Sequence, residues 1–433
     1  MKLSASIAAG ILLATIFSGC VTHSAQRETR TDWIDAETGH RVVKLSTEPG
    51  SESLYFNLNP FTPDGKRMVI TSSNGISLVN LETRAVEKVV EGRVHIIMVG
   101  HKTGKIYFGE TKIENGVTNR FVGTIDPNTK AVQRLLQLKR GQEISTVNAD
   151  ETLLGGTFTE LSDWGTNDFF NGGPNRRNND IQSQDIARGK KGTMMEERLA
   201  KRYPMSLFFY NIATGETKSF NRCTDWLGHL QFSPTDPTLL MFCHEGPWHK
   251  VDRIWTIRTD GSDLKLVHQR TMIMEIAGHE FFSNDGQTIW YDLQTPRGED
   301  FWVAGYEIAT GKRTWYHLQR NEWGVHFNVS PDGKLFSSDG GDDKMVAHAD
   351  NGKWLYLFTP ELISDRSAGN VETKNLIQTG VFHSEKLVNM AKHDYALEPN
   401  GMFSPDMKWL IFRSNMSGAN QAYAVELEKA KKN

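Results

Sequence analysis

From Tyr55 onward, apolar stretches and polar turns follow one another in a pattern that recurs along most of the chain. Each unit has an apolar stretch that runs into a Ser-Pro-Asp type turn and a strand that leaves it. A second strand then ends in a turn such as Ala-Thr-Gly-Lys, before a last short strand. Short alternating runs bounded by Gly, Pro, Asn and Asp read as half-buried strands. The units open at Phe61-Thr62-Pro63-Asp64-Gly65, His101-Lys102-Thr103-Gly104, Val147-Asn148-Ala149-Asp150 and Phe232-Ser233-Pro234. A fifth runs from His279 to Lys312, and the last two open at Ser330-Pro331-Asp332-Gly333 and Ser404-Pro405-Asp406. Units of roughly 40–50 residues, each a few strands separated by turn chemistry, predict an all-β, seven-bladed β-propeller. A sandwich array or two stacked β-domains is the rival, and the even recurrence of the turns favours the ring.

Two units are overlong, which puts insertions near residues 159–204, with a helix around 194–202, and near residues 358–396. Trp33 to Val43 reads as an outer hairpin detached from its blade, while the seventh unit runs out after Tyr423-Ala424-Val425-Glu426-Leu427. The N-terminal strand is therefore expected to complete the last blade, which closes the ring and removes exposed sheet edges. The propeller is expected to be a single domain over residues 32–433.

Ahead of it, Met1-Lys2, an apolar run over residues 7–17 and Ser18-Gly19-Cys20 form a secretory pattern too short to span a bilayer comfortably. The small residues before Cys20 resemble a bacterial lipobox. Residues 1–20 are thus expected to be a lipoprotein-type signal with Cys20 lipidated, and residues 21–31 a tether. This implies an exported chain anchored in a bacterial envelope, touching the membrane only through the lipid. The other two of three cysteines, Cys223 and Cys243, do not make a disulfide scaffold. A formal net charge of −3 gives no electrostatic case for nucleic acid.

The recurring units carry polar side chains just ahead of their turns: His229, His279, His326 and Glu398. Inner strands of a propeller run in one direction along the channel, so ring closure is expected to gather these four at one mouth. A second constellation is Cys243-His244-Glu245-Gly246-Pro247-Trp248-His249-Lys250-Val251-Asp252-Arg253, around one Gly-Pro turn between two strands, where binding residues belong. A third is His393-Asp394-Tyr395-Ala396-Leu397-Glu398-Pro399-Asn400. Glu398 and Asn400, two apart in an extended segment, point the same way, and His393 could fold back toward them. Imidazole with carboxylate and amide oxygens suits Mn²⁺, Ca²⁺ or Mg²⁺ rather than a thiolate-type zinc site. No H-E-x-x-H, paired C-x-x-C, P-loop or G-x-S-x-G is present.

These stretches resemble the oligogalacturonate lyases, pectate lyase family 22. The likeness is strongest at Trp226-Leu227-Gly228-His229, Phe242-Cys243-His244-Glu245-Gly246-Pro247, His279-Glu280-Phe281, Val325-His326 and Phe403-Ser404-Pro405-Asp406. The resemblance implies a seven-bladed propeller that splits galacturonides by β-elimination with a bound Mn²⁺. It implies His279 as the catalytic base, His326 as a metal ligand and Arg253 near the substrate. The family's closing metal motif, Gln-x-x-His-Pro-His-Pro, is altered: Tyr395, Glu398 and Asn400 stand where the glutamine and two histidines would be.

The expectation is an exported lyase acting on uronate oligosaccharides, with a non-catalytic acidic-glycan-binding propeller as the alternative. His279 is the expected base. His229, His244, His249, Arg253 and Arg177 are the expected substrate contacts. His326, Glu398, Asn400 and His393 are expected to hold a divalent metal, manganese first and calcium second. A glycoside hydrolase would need two carboxylates across the scissile bond, and no such pair stands out.

Overall fold

The structure is a computed structural model that describes residues 32–160, 192–343, 345–364 and 376–431. Residues 1–31, where the signal, the lipidated Cys20 and the tether are expected, and Arg177 lie outside the described residues.

The described strands form a β-propeller of consecutive antiparallel sheets. Val94–Val99, Gln142–Val147, Trp226–Phe232, Ile276–Phe282 and Val325–Val329 are the innermost strands of their units, and Met402–Phe403 holds that place in the last. The Ser-Pro-Asp turns that follow are stapled by their own side chains. Ser330 Oγ donates to Asp332 Oδ1 at 2.7 Å and accepts from the Leu335 amide at 2.9 Å. Ser404 with Asp406 and Ser283 with Asp285 repeat the arrangement at 2.5 Å. Asn80, Asp126 and Asn211 close outer hairpins by accepting two backbone N–H groups each, as Asx turns do.

Among the described residues there are six sheets rather than seven separate ones, with 5, 4, 4, 8, 3 and 4 strands. The eight-stranded sheet is the departure. In it the units starting at Ile276 and Val325 are joined where Arg313–His317 pairs in parallel with Ile377–Asn389. The expected insertion near 358–396 is the cause. Trp354–Leu362 and Ile377–Asn389 form a hairpin long enough to reach the outer edge of the preceding unit and cover it. The other insertion carries a helix over residues 192–201. Its Arg198 lies over the Trp226 ring, and its Glu196 pairs with Lys250 at 2.8 Å.

Asp32–Ile34 and His40–Lys44 form the detached hairpin, and His40–Lys44 adds antiparallel to Gln421–Lys429. The N-terminal hairpin thus completes the last sheet. The core between first and last units contains Val43 and Leu45 with Val69, Ile70, Ile411 and Ala424. The channel is plugged by the segment before the first unit. Phe56 is buried against Phe281, His279 and His326. The Asn328 amide donates to the Phe56 carbonyl at 3.1 Å, and the Gln231 amide donates to the Glu280 carbonyl at 2.8 Å. No helix among the described residues is long and apolar enough to cross a membrane.

Deleting residues 32–45 removes buried Val42 and Val43, each worth about 1.5 kcal/mol or more, and bares an edge strand. Urea denaturation is expected to show a loss of at least about 3 kcal/mol. An unchanged midpoint would mean that ring closure does not depend on this hairpin.

Candidate functional site

The inner strands are irregular at one place. The pairing register shifts between Gly228 and Gln231, between Gly278 and Phe281, and between Val325 and Asn328. Within each shift sits a histidine in the left-handed region: His229 at φ 49°, His279 at 48° and His326 at 50°. Asn400 occupies the same position, four residues ahead of its turn serine, at φ 52°. A left-handed L-residue costs about 1 kcal/mol or more, and His and Asn are among the residues that tolerate it. The bulge re-aims the side chain out of the in-and-out alternation of the strand. The position equivalent to the three histidines is therefore Asn400, not Glu398 as the sequence suggested.

His279 is half-buried, and its Nδ1 lies 3.1 Å from Asp292 Oδ1. His326 is fully buried, with Nδ1 2.8 Å from Asp339 Oδ2. The hairpin register explains both pairs, because Gly278 faces Asp292 and Val325 faces Asp339 across the ladder. A carboxylate only accepts, so each Nδ1 carries a proton, and in the neutral ring each Nε2 presents a lone pair. The two rings stand edge to face with centroids 4.8 Å apart. Burial pulls the His326 pKa down, but the charges of Asp339 and Glu398 outweigh it and leave the group raised.

His229 belongs to a second cluster beside the first. Its Nε2 is 2.5 Å from Glu245 Oε1 and its Nδ1 is 3.5 Å from Glu280 Oε1. Arg253 is buried between the same carboxylates, 3.1 Å from Glu280 and 3.3 Å from Glu245. Its Nη2 lies 3.4 Å from both His229 ring nitrogens. Burial raises the pKa of Glu245 and Glu280, yet the Arg253 charge overcomes this and both carboxyls sit below the ordinary glutamate range. His229, Cys243 and Glu280 bring three donor atoms within 4.8 Å of one another. The Arg253 guanidinium already occupies that spot, paired with both Glu245 and Glu280.

The two clusters share a cleft of about 460 Å³ lined by Tyr55, His229, Trp248, Arg253, His279 and Glu398, among others. Burial, then the charges of Glu398 and Glu280, push the Tyr55 hydroxyl well above its ordinary range, so it stays protonated. Glu398 reaches His326: its Oε2 is 3.6 Å from Nε2, on the side away from Asp339.

Other expected site residues are placed elsewhere. His393 is buried with both ring nitrogens engaged, Nδ1 with Ser414 Oγ at 2.9 Å and Nε2 with the Leu397 carbonyl at 2.7 Å. Burial holds its pKa down at about 4. It braces the loop that carries Glu398, with neither ring nitrogen turned to the cleft. The Asn400 amide is also spent, accepting from the Phe56 N–H at 3.4 Å and donating to the Glu398 carbonyl at 3.1 Å. His244 does not line the cleft; it stacks on Trp255 with centroids 4.9 Å apart and faces Asp225. His249 does not line it either, and its carbonyl is held by Arg270. Arg253 reaches the cleft wall, but as the hub of an ion cluster rather than a free arm.

Sequence reading missed Asp292, Asp339, Glu280 as a charge partner, and Tyr55. One signal was present: an aspartate follows both His279 and His326 by thirteen residues.

A sequence model described as oligogalacturonate lyase, pectate lyase family 22, matches residues 192–430, more than half of the chain. An oligogalacturonide lyase of Pectobacterium atrosepticum is 25% identical over 239 residues, covering 50% of this chain and 54% of that protein. An oligogalacturonate lyase of Dickeya dadantii is 25% identical over 224 residues, with the same two coverages. The chain thus spans about half the length of the curated relatives it matches. Over the whole fold, the structure of an oligogalacturonate lyase from Vibrio parahaemolyticus superimposes with a TM-score of 0.69 at 20% identity, covering 93% of this chain and 98% of that one. An oligogalacturonate lyase in complex with manganese gives 0.68 at 21% identity, covering 93% and 96%.

Arg253→Met leaves Glu245 and Glu280 buried without their countercharge, a defect worth about 3 kcal/mol or more. In the native chain the two depressed carboxyls stabilise the fold above the ordinary glutamate pKa of 4.5, and that contribution is lost as pH falls through their folded values. Unfolding midpoints measured against pH are expected to drop on acidification for the native chain and much less for the variant. Parallel pH profiles would contradict the hub assignment.

Proposed function

The chain belongs to the oligogalacturonate lyase family, and on that premise we propose that it cleaves uronate-containing oligosaccharides by β-elimination in the cleft between His229, His279 and Glu398. The observation that carries this reading is the His279–Asp292 pair. An imidazole with Nδ1–H fixed on a buried carboxylate, half-exposed at a cleft wall, is suited to take a proton through Nε2.

The substrate's chemistry needs little more. The hydrogen alpha to a uronate carboxylate is weakly acidic. His279 Nε2 takes it, the released electron pair forms the double bond within the ring, and the bond to the glycosidic oxygen breaks. That oxygen takes up a proton, and the products are a shortened sugar and a 4,5-unsaturated uronate. Asp292 keeps the base in the productive tautomer and stabilises the imidazolium. His229, held by Glu245 and Arg253, and the Trp248 and Tyr55 side chains position the sugar against it.

A divalent metal fits this site with fewer protein ligands than the sequence suggested. His326 Nε2 and the Glu398 carboxylate converge, and Asp339 behind His326 supplies the carboxylate–histidine support common at metal ligands. Bound there, the cation would disperse the negative charge that grows on the uronate as its proton leaves. A histidine nitrogen suits manganese, the metal of the related structure, whereas calcium takes oxygen ligands. We also read the eight-stranded sheet as two blades joined at their outer edge, which gives seven blades in all. The apolar run over residues 7–17 with Ser18-Gly19-Cys20 after it supports export and a lipid anchor.

Incubation with trigalacturonate is expected to raise the ultraviolet absorbance of a conjugated uronate. His279→Ala is expected to abolish the signal, and Asp292→Asn to lower kcat by about 100-fold or more with little change in KM. Binding without absorbance by the native chain would favour a non-catalytic glycan-binding propeller.

Manganese content measured by elemental analysis is expected to fall in His326→Ala and in Glu398→Gln, and to stay unchanged in the His393→Gln variant. Equal loss in the third variant would restore His393 to the ligand set.

A further inference from the structure

Cys223, Asp225 and His244 form a cluster that the cleft does not use. Cys223 ends the strand Thr217–Cys223, Asp225 sits in the turn that leads to Trp226–Phe232, and His244 lies on Leu239–Glu245. One donor atom from each, the thiol sulfur, a carboxylate oxygen and an imidazole nitrogen, lies within 4.8 Å of the other two. All three residues are half-buried, so an ion can reach them and is still shielded from bulk water.

The donors are already orientated. Arg202 holds Asp225 Oδ1 at 2.7 Å, while Oδ2 faces His244 Nδ1 at 3.7 Å. Trp255 stacks on the His244 ring at 26° between planes, which fixes the imidazole. The Cys223 sulfur lies 3.7 Å from the Asp225 carbonyl, next to the same turn. In a tetrahedral zinc site with Zn–S of about 2.3 Å and Zn–N of about 2.0 Å, sulfur and nitrogen are about 3.6 Å apart. The cluster therefore needs only about 1 Å of side-chain movement to close on an ion.

We propose that Cys223, Asp225 and His244 bind a zinc ion, with water in the fourth position. The thiol gives up its proton as sulfur takes the metal, and the imidazole binds in its neutral form. Burial keeps the thiol protonated and the imidazole neutral in the absence of metal, so uptake releases one proton and tightens as pH rises. This donor set is softer than His326 with Glu398, which lets one chain keep zinc and manganese at separate places. The ion would clip the turn between two units to the strand that ends in Glu245, the residue that holds His229 and Arg253. The site would thus act as a brace behind the substrate cleft.

Chelator-treated protein titrated with Co²⁺ alone is expected to develop a thiolate-to-cobalt charge-transfer band in the near ultraviolet, abolished by zinc. Cys223→Ser is expected to lose the band, and His244→Ala and Asp225→Asn to weaken zinc binding by about tenfold or more. Manganese content of these variants is expected to stay at the native level, which separates this site from the one at His326. Zinc is also expected to raise the melting temperature of the native chain and not that of Cys223→Ser. A native chain without the band, or a band that persists in Cys223→Ser, would overturn the assignment. So would zinc affinity unchanged in both His244→Ala and Asp225→Asn.

Discussion

A left-handed residue at the same place in four units, within the inner strand in three and just ahead of it in the last, is the constraint from which the site follows. In a regular strand, side chains alternate between the faces of the sheet, and His229, His279 and His326 would pack between neighbouring sheets. The bulge at each histidine breaks that alternation. Its backbone cost, about 1 kcal/mol or more per residue, is offset by carboxylates of the next strand: the ladder sets Asp292 and Asp339 beside His279 and His326, and Glu245, which faces Trp226, reaches back to His229. Asp292, Asp339 and Glu245 each hold one of the three rings. The hairpin register and the imidazole orientation are thus one arrangement.

Charge divides the cleft into two halves with different tasks. Around Arg253 the charges are paired at close range, with only Glu280 Oε1 lacking a hydrogen bond, and this half positions His229. Between His326 and Glu398 the nearest atoms face each other at 3.6 Å, beyond a normal hydrogen bond. His279 stands between the halves, its ring against that of His326 and its Nδ1 on Asp292. With a divalent cation held by His326 and Glu398, as proposed above, the cleft would set a base beside a positive partner for the substrate carboxylate, the pairing that elimination from a uronate requires. The separate softer cluster at Cys223 lies behind the Arg253 half, where a bound ion would support it.

Much of the fold was legible because the turns are local. Ser-Pro-Asp and Asn-x-x-Thr segments bond to their own backbone, so their spacing exposes the repeat, and the unfinished last unit points to the N-terminal hairpin. The union of two units into one sheet was not legible, since parallel pairing of Arg313–His317 with Ile377–Asn389 depends on the length of a hairpin. At the site, the three histidines were readable as equivalent positions. Glu398 reads in sequence as the fourth polar side chain ahead of a turn, but the count back from the turn serine selects Asn400. His393 looked available because sequence does not show that Ser414 and the Leu397 carbonyl occupy both its nitrogens. His244 and His249 were drawn in by proximity along the chain, whereas strand direction turns His244 toward Asp225 and Trp255.

The central claim is that ring closure makes one uronate-binding cleft with His279 as its base. A crystal structure of the His279→Ala variant with trigalacturonate tests it most directly. The account predicts a sugar ring in the cleft beside position 279, with its carboxylate on the side of Glu398 and His326 and its alpha hydrogen facing the missing imidazole. A sugar bound away from this cleft, or one whose carboxylate points away from Glu398 and His326, would contradict it.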